Sequence, residues 1–504
     1  MKMKQKIRIG IKFLAFVSIT CMCVGLVNEW LKPEYYYNET WPTTNTYEDF
    51  YRLEKNSADV LILGSSHAVS CINPQIIYDN YGITSYNLGC GQQSVLVTYY
   101  WLREALKYQS PKAVILETYT FHKYYDNYVY NDLNCSETAV RKAMDVMRLS
   151  PLKWEAGKAI EEVDHTQIGL SFPLLNIRYH TRWTCLGEND FTEEAMIDHG
   201  GVKGYTALGT VDASIQYTPF RDADAKGVEA EEMVDVAKTY LDKIVGLCKK
   251  ENIELILVNI PCNESIKRYK STKEYADKNG ITFYDFNEER LYNEIEYNVS
   301  EDFWSHPNYK GAEKVSNYLG KELQNTYGIK PRKDDSFDES RKVYEHKIEN
   351  IKLSQINDIN QYLDMINNDK YTVFIWGPIS YADCINDEIM KKLYALGFTT
   401  DLRKAKEGIH YFAKKDSDGV IEKYTKKDFS YSGSFRSGYS TYKCVVDTTN
   451  MLQQCKMYSL VVDGTECGNQ NVGLNIVVYD NDFKMIVDKV NVNTTIKELT
   501  ITRY

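Results

Sequence analysis

The chain has no excess of positive charge. Sixty Lys and Arg stand against 70 Asp and Glu, a net charge of −10, so nucleic acid and anionic lipid headgroups, which need basic patches, are excluded as main partners. Metal-ligand spacing is also missing. The 12 cysteines are scattered, and no metal or organic cofactor is expected. Long apolar runs are absent with one exception, near the N-terminus, and no small-x-small cleavage site follows it. A large disordered fraction is excluded as well, because 43% hydrophobic and 26% charged residues are ordinary for globular chains.

What is present begins with that exception. Lys2, Lys4, Lys6 and Arg8 precede a mostly apolar stretch from Ile9 to Val27, interrupted only by Lys12 and followed by Trp30. About 20 apolar residues span a bilayer, a terminal lysine snorkels to the headgroups, and a basic flank stays cytoplasmic. Residues 1–31 are therefore expected to be an uncleaved signal anchor, in preference to a removed signal peptide or a buried core helix. Everything after about Asn28 is then extracytoplasmic. Cys21 and Cys23 lack the preceding small residue of a lipidation site. Among the remaining cysteines, Cys444, Cys455 and Cys467 lie close enough for one local disulfide. The 41 tyrosines suit carbohydrate-facing surfaces, and a compositional habit of the source genome accounts for them equally well.

At 504 residues two or three globular units are expected. Val60 to Leu63 reads as a short buried strand entering Gly64-Ser65-Ser66-His67. A helix from Pro74, a strand over Ile83 to Leu88, a helix over Gln92 to Tyr108 and a strand over Ala113 to Leu116 follow. Strand and helix alternating this way predict a parallel α/β sheet. Tyr-rich loops interrupt the pattern at about 118–227, an insertion or lid. The rhythm resumes with a helix over Glu229 to Lys250, strands over Ile253 to Ile260 and Ile281 to Asp285, and a helix over Lys310 to Tyr327. A charged linker and helix occupy 328–369, and 370–504 alternates in the β manner, predicting a small β-rich α+β domain without a catalytic constellation.

Ser66 stands at a strand's carboxyl end, the edge where open α/β folds place ligands. To act as a nucleophile it needs a base and oxyanion donors. His306, in Asp302-Phe-Trp-Ser-His306-Pro-Asn308-Tyr-Lys-Gly311 just before the last helix of the same domain, is the candidate base. Leu63-Gly-Ser-Ser-His67, Tyr86-Asn-Leu-Gly89 and His306-Pro-Asn-Tyr-Lys-Gly311 resemble three blocks of the SGNH (GDSL-type) hydrolases. Their order and spacing correspond to an SGNH domain over about 57–327, a three-layer α/β/α fold. The nearest likeness is to the membrane-anchored branch that includes DltD and the alginate O-acetylation proteins, which handle acyl groups on surface polymers.

The resemblance implies Ser66 as nucleophile, His306 as base, and the backbone N–H groups of Ser66 and Gly89 as oxyanion donors. The asparagine usual after the third strand is missing in Ala113-Val-Ile-Leu-Glu117-Thr-Tyr119, leaving Gln93 or Asn87 to replace it. The acid usually stands three residues before the histidine. Here Asp302 is four before, so Asp302 orients His306 or the pair works as a dyad with a backbone carbonyl. His67 reads as structural, and Glu117 as facing the site or pairing with the lid. Phe172 and its neighbours, with His180, Arg182 and Trp183, either line an acceptor cleft or belong to a packed lid.

Gly473-Leu-Asn-Ile-Val-Val-Tyr-Asp480, with Val462-Asp-Gly464, is similar to a strand of the interleukin-like EMT inducer (ILEI) domain, in permuted order. Such domains are compact β-rich modules, some of which bind carbohydrate. The resemblance to acyl-handling proteins implies a serine esterase or O-acyltransferase acting on an acylated glycan or small acyl ester, with a membrane-bound acyl-donor protein as a further partner. The alternative is a non-catalytic glycan-binding protein on an altered hydrolase scaffold.

Overall fold

The computed structural model describes residues 2–31, 43–123, 129–132, 135–184, 186, 202–378, 384–404, 409–447, 458–469, 471, 473–494 and 499–504. The chain forms two compact units, Met1–His346 and Lys347–Tyr504. The first opens with α1 (Lys2–Leu31), whose apolar stretch Gln5–Leu31 is long and apolar enough to cross a membrane. α2 (Thr43–Arg52), β1 (Val60–Leu63), α3 (Ser66–Cys71), α4 (Pro74–Tyr81), β2 (Ser85–Asn87), α5 (Val95–Ala105) and β3 (Ala113–Glu117) follow.

The insertion holds a hairpin of β4 (Val129–Asp132) and β5 (Cys135–Thr138), then α6 (Ala139–Met144), α7 (Pro151–Val163) and α8 (Asn176–Tyr179). α9 (Asp235–Glu251), β6 (Glu254–Asn259), α10 (Ile266–Asn279), β7 (Thr282–Asp285), α11 (Glu289–Glu294), α12 (Val299–Asp302) and α13 (Tyr309–Asn325) complete the α/β part, and α14 (Ser336–Leu353) runs into the second unit.

The five strands form one all-parallel sheet in the order β2-β1-β3-β6-β7. Because strand side chains alternate, each strand feeds two cores. Leu61, Leu63, Val114, Leu116, Leu255 and Leu257 face α5 and α9. Val60, Ile62, Ala113, Ile115, Ile256 and Val258 face α3, α4 and α13. The result is a three-layer α/β/α unit, with the parallel sheet that the strand and helix pattern predicts and the layering that the resemblance implies. Both faces being covered explains why β1 is apolar throughout.

Expected helix starts shift where backbone donors are capped. α5 begins at Val95 rather than near Gln92, because Ser94 accepts from Val97 N. α9 begins at Asp235, since Glu231 N and Val234 N first donate to Lys267 O and Phe121 O. The charged stretch after α13 follows α4 closely: Arg332 N donates to Gly82 O, Asp334 N to Tyr78 Oη, and Phe337 stacks on Tyr78 at 4.0 Å.

In the second unit, α15 (Ile359–Met365) and α16 (Asp387–Ala395) pack on an antiparallel six-stranded sheet. Its strands are β8 (Tyr371–Pro378), β9 (His410–Asp416), β10 (Gly419–Thr425), β15 (Leu474–Asp480), β16 (Met485–Val492) and β17 (Ile501–Arg503). A four-stranded sheet of β11 (Phe429–Phe435), β12 (Ser440–Val446), β13 (Tyr458–Val462) and β14 (Thr465–Glu466) closes its other face. This is the β-rich α+β region expected. Cys444 and Cys467 are buried free thiols there, and Cys455 lies outside the described residues.

Candidate active site

β1 ends at Leu63, and the chain turns through Gly64 into α3. Gly64 has φ of +151°, and a Cβ there would stand 2.6 Å from Glu117 Cβ on the neighbouring strand, so only glycine fits. Ser65 caps α3 by accepting from His67 N, while its own Oγ donates to Glu117 Oε2 at 2.7 Å and its N–H to the same oxygen at 3.0 Å. Glu117 also accepts from Tyr119 N. Glu117 therefore neither contributes to the site as a free carboxylate nor pairs with the lid; it ties β3 to the turn that carries Ser66.

Ser66 is half-buried among buried neighbours, and its Oγ lies 2.8 Å from His306 Nε2. The histidine arrives on a tight loop. Phe303 bridges Pro307, Trp304 N donates to His306 O, and Asn308 N donates to Asp302 O. Asn308 caps α13 by accepting from Lys310 N and Gly311 N, and its Nδ2 donates to Glu301 O. A Cβ on Gly311 would stand 2.8 Å from Asp302 O, which accounts for glycine in that motif.

The acid expected at the far side of the ring is elsewhere. Asp302 is buried, and its Oδ2 accepts from Asn298 N and from Lys314 Nζ, each at 2.7 Å. The cause is local: Asp302 ends α12, and the bridged loop turns the chain away before His306. His306 Nδ1 instead lies 3.0 Å from the hydroxyl of Ser305, a residue the spacing argument passed over. With Nδ1–H donated to Ser305, Nε2 faces Ser66 as an acceptor.

Two expected oxyanion side chains are also engaged within the fold. Asn87 Nδ2 donates to Ala68 O and Ile72 O, clamping α3. Gln93 Nε2 donates to Thr98 Oγ1 and Leu88 O, and its Oε1 accepts from Tyr47. Gly89 N donates to Asn87 Oδ1 at 2.9 Å. Among the described residues, no acceptor takes Ser66 N–H.

His67 borders the candidate base. Its ring packs on Tyr119 at 4.0 Å and edge-on to His306 at 4.9 Å, and its buried Nδ1 finds no partner among the described residues. Burial, with His306 and Lys123 nearby, holds its pKa well below the usual histidine range. A second wall comes from the insertion, where Thr206 N donates to Val69 O and Tyr309 N to Leu208 O.

The proposed cleft residues of the insertion are placed differently. Phe172 is a core residue under the Arg141 guanidinium, 4.1 Å from its ring centroid. His180 and Trp183 are exposed, and with Arg182 they lie on the turn that follows α8 and packs at the C-terminal end of α1.

Burial raises two carboxyls at the carboxyl edge of the sheet: Glu117 to about 7 and Asp285 to about 7. Asp285 accepts from Asn259 Nδ2 and from Asn287. Between the ordinary carboxylate range and pH 7 the unfolded chain has released protons that the folded chain keeps, so each carboxyl makes stability fall as pH rises through that window. The effect is on the order of 3 kcal/mol per group. His67 and His306 act in the opposite sense, so the difference between variant and wild type is the quantity to read. Asp285→Asn and Glu117→Gln are each expected to flatten the fall in urea midpoint between pH 4 and pH 7. An unchanged slope in both would show that these carboxyls ionise normally.

No family model matches the chain, and no curated protein matches it. Among solved structures it is similar to a protein placed in the G-D-S-L lipolytic family from Desulfitobacterium hafniense, with 10% identity, a TM-score of 0.26, and 53% of this chain and 99% of that one covered. It is also similar to a GDSL-like lipase from Bacteroides thetaiotaomicron, with 10% identity, a TM-score of 0.26, and 57% and 100% covered. A third similarity is to a protein described as an acylhydrolase from Bacteroides fragilis, with 13% identity, a TM-score of 0.24, and 56% and 94% covered.

Proposed function

We propose that the protein is an extracytoplasmic serine esterase or O-acyltransferase acting on an acylated cell-surface polysaccharide or glycopolymer. The observation that carries this reading is the 2.8 Å contact between Ser66 Oγ and His306 Nε2 at the carboxyl edge of a parallel sheet. Ser66 Oγ attacks the acyl carbonyl while His306 Nε2 takes its proton, and the tetrahedral oxyanion is held by the N–H of Ser66. Collapse leaves an acyl-Ser66 ester and returns the proton from His306 to the departing alkoxide. Water or a sugar hydroxyl then attacks that ester with His306 again as base. The two outcomes are hydrolysis and transfer, and a membrane-bound acyl-donor protein fits the second. In this reading the C-terminal unit is an ILEI-like module.

A non-catalytic glycan-binding role is the second reading. It is favoured by the diversion of Asp302 to Lys314 and of Gly89 N–H to Asn87. Incubating the detergent-solubilised protein with acetylated glycan, with and without an acceptor sugar, separates the readings. Acetate release or acetyl transfer is expected, and an intact polymer retained by the protein without turnover would favour the binder.

The pH profile is a second check. Burial pushes the pKa of His306 down to about 4, so the imidazole is neutral, and competent as base, throughout the range above that value. The acid limb of kcat/KM is expected near pH 4, well below the value of about 6.5 for an unperturbed histidine. A limb near 7 would mean that an anion supports the imidazolium in the working enzyme.

A further inference from the structure

α1 is exposed along its apolar length and becomes buried only at its C-terminal end. There Asn28 Oδ1 accepts from Asn176 N at 3.0 Å, and Leu31 packs with Leu175 and Tyr179. The apolar run ends at Val27, so α8 sits at the level where a membrane helix leaves the hydrocarbon. α8 is held firmly from the inside. Tyr179 Oη donates to Asp145, and the fully buried Arg141 pairs with Asp145 at 3.0 Å and donates to Ser171 Oγ at 2.9 Å. This ion pair and its hydrogen bonds fix the segment to the α/β unit.

The outer side of the same segment carries four exposed apolar side chains, set among the exposed polar residues Arg178, His180 and Thr181. Ile168 is 57% exposed, Leu170 52%, Ile177 38% and Trp183 71%. Ile177 follows directly on the residue bonded to Asn28. Side chains of this kind, continuous with the end of a membrane helix, belong in an interfacial layer, where Trp is favoured and apolar neighbours reach the acyl boundary.

We propose that residues 168–183 form a membrane-contact surface that lies in the interface of the phospholipid bilayer holding α1. The α/β unit is then seated on the bilayer at a fixed height rather than tethered to it. The inference rests on α1 being a membrane helix. The attraction proposed is apolar, and phosphatidylcholine, which carries no net charge, isolates it from any contribution of Arg178 and Arg182.

The test uses the full chain in phosphatidylcholine vesicles containing lipids brominated high on the acyl chain, and reads tryptophan quenching. Trp30, at the end of α1, reports the anchor, and Trp183 reports the surface. Trp30→Phe and Trp183→Phe are each expected to lower the quenched share of emission. Should Trp30→Phe lower it while Trp183→Phe does not, the anchor stands and the surface is overturned. If neither lowers it, α1 is not in the bilayer and the proposal falls with that reading. A double change, Leu170→Glu with Ile177→Glu, at exposed positions, is expected to abolish the Trp183 contribution while leaving that of Trp30. Persistence of Trp183 quenching in that variant would overturn the role of the apolar side chains.

Discussion

Ser66→Ala and His306→Ala are each expected to lower turnover of an acetyl ester by about 10⁴ or more and to abolish labelling by a fluorophosphonate. The double variant should be no worse than either single one, because a nucleophile and its base act as one unit. Folding should survive both changes. The turn at Ser66 is held by Gly64, Ser65 and Glu117, and the His306 loop by Asn308 and the bridge from Phe303 to Pro307. Labelling that persists at full rate in Ser66→Ala would place the reactive serine elsewhere and remove the basis of the proposed mechanism.

Asp302→Asn is expected to cost stability rather than catalysis. Its carboxylate is buried and joins Asn298 N to Lys314 Nζ, so neutralising it leaves a lysine facing an uncharged group. Lys314 is 31% exposed and partly solvated, so a loss of about 2 kcal/mol is expected, below the range for fully buried pairs. Turnover per folded molecule should stay within a few-fold of wild type. Ser305→Ala removes the hydroxyl at His306 Nδ1 and should lower turnover about tenfold, because a neutral partner orients the ring but supports its charge less than a carboxylate does. Denaturant unfolding and kcat measured on the same preparations separate the two. A loss near 10⁴ in kcat for Asp302→Asn, with stability unchanged, would restore that residue as the orienting acid.

The alternation of apolar strands and amphipathic helices was legible along the chain because each strand of this sheet is buried on both faces. The motif blocks around Gly64 and Gly311 stood out in the sequence; that a Cβ there would strike Glu117 Cβ and Asp302 O, and that Ser65 and Asn308 are caps, came with the structure. Those blocks place Ser66 and His306 at element ends, so both were visible as candidates. Only the tertiary structure decided what surrounds them. A side chain's hydrogen-bond partner depends on directions set by elements distant in sequence. Asp302 turns to Lys314, twelve residues on, Asn87 reaches back to α3, and Gln93 meets Tyr47. His180, Arg182 and Trp183 likewise carry residue types suited to a sugar cleft, yet the buried pair of Arg141 and Asp145 docks their segment beside the end of α1. Sequence spacing determines which residues share a helix face or a strand edge; the direction in which a polar group finds its partner is decided by packing.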